Sequence, residues 1–343
     1  MAETSVRPDI LPPQHLTVSE AEQASGRLTD ETVKLAQIIL SCRGYVVLRG
    51  GVSVKFIDAV RAEFNDIYAD CRAMQDTVET GTDYSSIQQV KVSERKHATF
   101  WFRKSRWRIF PWLTGIFGDR QLLANPFAMQ ILEGLIGKDL FCQYVSSDTC
   151  LKGAMLQSPH SDIDTNDVMV NNRWAPRGYI VNFPIMTCGL HNGPMEVWPG
   201  GSHMWTSDLM KQYGLEPNIQ DGRNPPVERV AEYFPSIKIH IEPGDVMIRD
   251  LTMWHRGTPN PTDEPRTMLT IAYFRGGYQY GYGDVGYNLD RTVYQSLAPD
   301  VRRLFDYHFG VARTLRRKQK QLRSAVKKTA LSFVNQRLRG KTG

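Results

Sequence analysis

Apolar positions recur at helical spacing in the first 137 residues and change to short blocks thereafter. Val33, Ala36, Ile39 and Leu40 mark one face of a helix that starts after Thr29, with Asp30 and Glu31 in its first turn and Gly44 as its stop. Tyr45–Leu48 reads as a short strand closed by Gly50 and Gly51. A second helix runs from Val54 to about Met74, with Phe56, Val60, Phe64 and Tyr68 on its stripe. Asn125 and Pro126 are the N-cap and first residue of a third, which runs to about Ile136 before Gly137.

From Leu140 the texture is β. The runs Leu140–Ser146, Tyr179–Met186, Met195–Trp198, Ile237–Ile241, Val246–Asp250 and Arg266–Arg275 are short and rich in branched and aromatic residues. Turn clusters such as 191–194, 199–202 and 242–245 separate them, a pattern of a sandwich or barrel. The expected class is mainly β with flanking helices. Residues 1–28 read as a loosely ordered lead with a short helix near Ser19–Ser25. Residues 29–297 read as one domain with a helical N-terminal part. An insertion at 205–234 is expected to cap one mouth of the barrel, and 298–343 is expected to be a basic helical extension.

Composition narrows the classes. Hydrophobic residues at 41% and charged residues at 23% describe a globular chain. No apolar run approaches the roughly 18 residues of a membrane span. Five cysteines, an odd number without CxxC spacing, argue against a disulfide framework or zinc knuckle. With no signal-peptide pattern at Met1–Ser5, a cytoplasmic location is expected. The net charge of +6 is concentrated at one end: residues 311–343 hold eleven Lys and Arg and no acid, so the remainder stands at −5. That removes support for a nucleic-acid partner. Leu322, Val326, Ala330 and Phe333 keep to one face of a basic helix in this tail. It suits packing on its own acidic body, homo-oligomerisation, an acidic partner such as a carrier protein, or an anionic membrane surface. The stretch 100–108, with Phe100, Trp101, Phe102 and Trp107 among basic residues, reads as a loop with inward rings; an entrance for an anionic substrate is the alternative.

The candidate chemistry begins at Gln157-Ser158-Pro159-His160-Ser161-Asp162. On an extended backbone His160 and Asp162 point the same way, so both reach one metal ion. His255, just past the run Val246–Asp250, is the proposed third ligand. Two histidines and one carboxylate form the facial set that suits Fe(II) and leaves three adjacent positions open for a 2-oxo acid and dioxygen. Eleven residues on, Arg266 begins an apolar strand, and its guanidinium suits the far carboxylate of 2-oxoglutarate. Thr258 is expected to add a hydroxyl hydrogen bond.

These residues, with Asn192-Gly193-Pro194-Met195-Glu196-Val197-Trp198-Pro199-Gly200-Gly201-Ser202-His203 and Pro243-Gly244-Asp245-Val246, resemble the phytanoyl-CoA dioxygenase family over roughly 140–276. The resemblance implies a double-stranded β-helix (jelly roll), iron at His160, Asp162 and His255, and 2-oxoglutarate at Arg266. It implies oxidation of an unactivated C–H bond with succinate and CO2 as co-products; the basic-aromatic stretch 100–108 is compatible with an anionic, CoA-linked or carrier-linked small molecule, and a neutral scaffold stays open. The turn 200–202 carries one glycine more than the usual pattern. Halogenases of the family replace the aspartate by a small residue, so Asp162 favours hydroxylation or a related oxidation. His240-x-Glu242 repeats the spacing of the first pair and is read as structural; His203 is expected to bond backbone, His191 to line the pocket or face water, His97 and His308 have no partner at useful spacing, and Asp164 and Asp167 are read as solvated. The reading from another class is a non-catalytic binding barrel that uses its basic tail as the interaction surface.

Overall fold

Thr29 and Gly44 bracket the first long helix as the pattern predicts. The computed structural model describes residues 14–75, 88–91, 98–103, 105–163, 169–170, 173–174, 176–205, 207–215, 227–277 and 288–309. In chain order, β1 (His15–Thr17), α1 (Glu20–Ser25), α2 (Asp30–Arg43), β2 (Tyr45–Arg49) and α3 (Val54–Gln75) come first. Strands β3 (Gln88–Lys91), β4 (Ala98–Arg103) and β5 (Arg106–Pro111) precede the short α4 (Arg120–Leu123) and α5 (Pro126–Ile136). Then follow β6 (Phe141–Cys150), β7 (Met169–Val170), β8 (Arg173–Trp174), β9 (Gly178–Pro184), β10 (Met195–Val197), α6 (Ser207–Gln212) and α7 (Val227–Ala231). Strands β11 (Ile237–Lys238), β12 (Val246–Asp250), β13 (His255–Gly257) and β14 (Arg266–Phe274) complete the β part, and short helical turns occupy 291–309.

Nine strands make one sheet in the order β1-β2-β12-β9-β14-β6-β5-β4-β3, and three make a second, β11-β10-β13. The strand period of two divides the large sheet's faces. Val46, Leu48, Val181, Phe183, Ile248, Leu269 and Ile271 pack against Ala36 and Leu40 of α2, Val60 and Phe64 of α3, and Phe127 and Ile131 of α5. Their neighbours Tyr45, Val47, Met247 and Met268 point the other way, into Met195, Val197, Ile239 and Ile241 beneath the small sheet. A second inward cluster holds Tyr144, Ile180, Ala272 and Phe274. Between the two lies a polar strip: Arg249 on β12, Asn182 on β9, Thr270 on β14 and Asp148 on β6. Arg249, Asn182 and Thr270 alternate with apolar neighbours, and Thr270 bonds Asp148, so the strip faces the space between the sheets.

Several expectations change. Stretch 100–108 is not a loop: β4 and β5 form a hairpin in register from Ala98–Pro111 to Arg103–Arg106, turned by Ser105 at φ 57°. Alternating aromatic and basic positions are a strand period as readily as a loop. Residues 14–28 are not loose either, because β1 adds a parallel edge to β2 and Ser19 with Glu22 closes a capping box on α1. The described part of the 205–234 insertion packs Met210, Val227 and Val230 on Trp198 and Trp254, the outward side of the small sheet, rather than over a mouth. The basic tail at 311–343, His97, Asp164 and Asp167 lie outside the described residues. All five cysteines are free. Among the described residues no helix is long and apolar enough to cross a membrane.

Candidate metal centre

Two backbone segments meet edge to edge to build the site. The His160 amide donates to the His255 carbonyl at 3.0 Å and the His255 amide to the His160 carbonyl at 2.9 Å, an isolated antiparallel bridge. Two residues on, the Asp162 amide donates to the Leu251 carbonyl at 2.9 Å. One ligand atom from each of His160, Asp162 and His255 lies within 4.8 Å of the others. Asp162 Oδ1 is 3.6 Å from His255 Nε2, and the two imidazole centres are 4.5 Å apart.

Both rings are turned by their own backbone. Nδ1 of His160 is 2.9 Å from the Ser158 carbonyl, and Nδ1 of His255 is 3.0 Å from the Met253 carbonyl. A carbonyl only accepts, so each contact favours the proton on Nδ1 and the lone pair on Nε2, although at His255 the Arg249 Nη1, 3.3 Å from the same Nδ1, competes with the carbonyl. Burial, then the Arg249 cation, pushes His255 down to about 3 against the opposing pull of Asp162; its ring is therefore neutral near pH 7. Burial opposes the charge on Asp162, but Arg249, followed by His255, His160 and Arg108, outweighs it and holds the carboxyl well below the usual range. Two imidazoles, that of His255 neutral, and an ionised carboxylate converge on one point, a donor set that fits Fe(II).

The flanking turns aim Arg266. It is buried at the start of β14, and its Nε donates to the Gly193 carbonyl at 3.0 Å. Gly193 sits at φ 81°, and a Cβ there would lie 2.6 Å from the Pro259 carbonyl oxygen, so the turn that holds Arg266 requires glycine. The terminal nitrogens of Arg266 make no hydrogen bond among the described residues, which leaves its fork available. Thr258 is placed otherwise than expected: its hydroxyl donates to the Pro194 carbonyl at 2.6 Å. That proton is used within the turn.

The remaining candidates separate from the site. His240 Nε2 bonds Glu242 Oε1 at 3.0 Å on the surface. His203 donates to the Ser41 carbonyl at 2.8 Å, His308 bonds the Cys142 carbonyl at 2.9 Å, and His191 is exposed. Missing from the sequence reading were Arg249, which donates to Asp162 Oδ2 at 2.6 Å, and the chain Arg108–Asp148–Thr270–Asn182 beside it. A signal existed: a charge in the fully buried run Val246–Asp250 must have a counter-ion. A groove of 420 Å³ lined by Gln157, Pro159, Glu196, Trp198 and Arg256 lies on the outward side of the small sheet and takes in none of the three ligand side chains.

A family model for phytanoyl-CoA dioxygenase (PhyH) matches residues 40–268, about two thirds of the chain. The chain belongs to this family. Within curated proteins it is similar to the dioxygenase af480 of Aspergillus fumigatus, with 20% identity over 187 residues, 54% of this chain and 53% of that protein. The match thus spans about half the length of that relative. AviO1 from Streptomyces viridochromogenes Tue57 shares the fold at 18% identity and TM-score 0.50, over 72% of this chain and 96% of that one. HygX from Streptomyces hygroscopicus, solved with nickel, 2-oxoglutarate and hygromycin B, aligns at 13% identity and TM-score 0.47 over 74% of this chain and 89% of that one.

Proposed function

We propose that this family member is an Fe(II)- and 2-oxoglutarate-dependent dioxygenase that hydroxylates, or otherwise oxidises, a small molecule, and that its two sheets form a double-stranded β-helix. The observation that carries the reading is the convergence of His160, Asp162 and His255, one ligand atom of each within 4.8 Å of the others, with both Nδ1 atoms held at backbone carbonyls. Iron with 2-oxoglutarate and dioxygen supplies the oxidising chemistry, decarboxylating the 2-oxo acid to succinate and CO2 as a substrate C–H bond is oxidised.

The protein's part is placement. His160, Asp162 and His255 are the residues that would hold the metal, which would supply the site for the 2-oxo acid and dioxygen. Arg266, fixed by the Gly193 carbonyl, presents its fork to the far carboxylate of the cosubstrate. The sheets exclude water from the reacting side, which strengthens every charge interaction there. Arg108, about a quarter exposed and ion-paired to Asp148 at 3.3 Å, supports a polar or anionic substrate, including a CoA- or carrier-linked one. Five free cysteines support a reducing compartment such as the cytoplasm.

Anaerobic addition of Fe(II) and 2-oxoglutarate is expected to give a weak visible charge-transfer band, and admission of air with substrate to release succinate. Absence of the band would reject the enzyme and leave a binding barrel.

A further inference from the structure

Asp162 has two oxygens, and they face different partners. Oδ1 is the atom 3.6 Å from His255 Nε2, on the side where the ligand atoms converge. Oδ2 accepts from Arg249 Nη2 at 2.6 Å. Arg249 is itself buried on β12, 3% exposed, between β2 and β9. Its Nη1 lies 3.3 Å from His255 Nδ1, where it competes with the Met253 carbonyl at 3.0 Å for the same nitrogen. Asp162 is therefore the acid that neutralises this buried cation.

We infer that Arg249 is a positioning residue that confines Asp162 to one-oxygen ligation and so keeps a position on the metal open. The inference rests on the metal reading above. Turning Oδ2 toward the metal would leave a buried guanidinium without its acid, a heavy penalty in this setting. The consequence follows by counting positions. Three single-atom ligands leave three places on an octahedral ion; a bidentate 2-oxo acid takes two and one remains. An aspartate bound through both oxygens would fill the last one.

Nitric oxide is a probe for that place. Wild-type protein loaded anaerobically with Fe(II) and 2-oxoglutarate is expected to bind it, read by electron paramagnetic resonance. Arg249→Met should bind it at least about tenfold more weakly, the usual scale for losing an outer partner of a ligand. Its Fe(II) affinity should be unchanged or higher, because a second oxygen and the loss of a cation both favour a dication. Arg249→Lys, which keeps the charge and one donor, should recover most nitric oxide binding. A residue needed only for folding would lower metal and nitric oxide binding together, and that pattern overturns the inference. So does unchanged nitric oxide binding in Arg249→Met. If that variant fails to fold, the infrared carboxylate splitting of the wild-type metal complex decides, since two-oxygen ligation there overturns the inference. Failure of the metal reading looks different: wild type would take up no Fe(II), or His160→Ala would take it up equally well.

Discussion

Two histidine-x-acid pairs occur in this chain at the same spacing and have opposite fates. In His240–Glu242 the imidazole bonds its own acid at 3.0 Å, and both side chains are more than half exposed. In His160–Asp162 each side chain is held by a further group of the fold. The histidine is tied to the Ser158 carbonyl and the acid to Arg249, so both keep a lone pair for a third party. Covering makes the difference. Segment 251–255 zips along the first pair and delivers His255, while the second ends in the turn before β12 and is open to water. Spacing puts two side chains on one side of a strand; a crossing strand and a buried counter-ion turn them into a site.

The largest effect that can break this comparison is in metal binding. His160→Ala or Asp162→Ala is expected to lower Co(II) or Fe(II) affinity more than about a hundredfold, beyond the cost typical of an outer partner. His240→Ala and Glu242→Ala should leave it unchanged. Calorimetric titration of the four variants decides, and a loss at the second pair would show that the pairs have been assigned in reverse. Next in size is Arg266→Ala. Loss of a charge-assisted fork worth about 1.5–3 kcal/mol per bond raises the 2-oxoglutarate concentration for half-saturation by about ten- to a hundredfold. Metal affinity should stay as it was. An unchanged cosubstrate requirement would remove Arg266 from the site.

What was legible in the sequence follows the range over which each signal acts. Caps act within a turn, so Thr29, Gly44, Asn125 and Gly137 delimit α2 and α5 as expected. The meeting of His160, Asp162 and His255 was legible because extended geometry sets His160 with Asp162 and the glycine-proline turns fix the order of the rest. Arg249 was not, because its meaning depends on an acid 87 positions away. Thr258 was misread for the opposite reason: a hydroxyl next to a turn finds the nearest carbonyl, here that of Pro194, before any ligand. The hairpin at 98–111 was missed because its period was masked by the density of its aromatic and basic residues.

Each pair also has a buried histidine beside it, and acid should reveal both. Burial and Arg249 push His255 down to about 3; burial, Arg49 and His240 push His15 down to about 4. Unfolded, each titrates near 6.5. Between those values the unfolded chain holds a proton that the folded one lacks, so stability is full above pH 6.5 and falls as the pH drops. The slope is at most about 1.4 kcal/mol per unit for each group. Asp162 acts only below this window, since its stabilisation is lost as pH falls beneath the ordinary carboxylate range. Thermal unfolding of metal-free protein between pH 6.5 and 4.5 should therefore show a slope that His255→Gln and His15→Gln each reduce. A slope untouched by either variant would mean that these rings are not held neutral.

The smallest expected effect is at Glu242. Its carboxylate bonds only the exposed His240 ring, whereas its amide, which any residue supplies, donates to Asp245 at 2.8 Å. Glu242→Gln keeps a carbonyl at the same reach and removes a charge that water already screens. The change in unfolding free energy should fall within about 0.5 kcal/mol, the range of exposed pairs. Asp245 is the opposite case three residues on in the same turn: it is buried and also takes the Arg49 guanidinium, so Asp245→Asn should cost more than Glu242→Gln. A denaturant midpoint that moves more for Glu242→Gln than for Asp245→Asn would show that the second pair is held by more than its surface bond, and the contrast with the first would lose its physical basis.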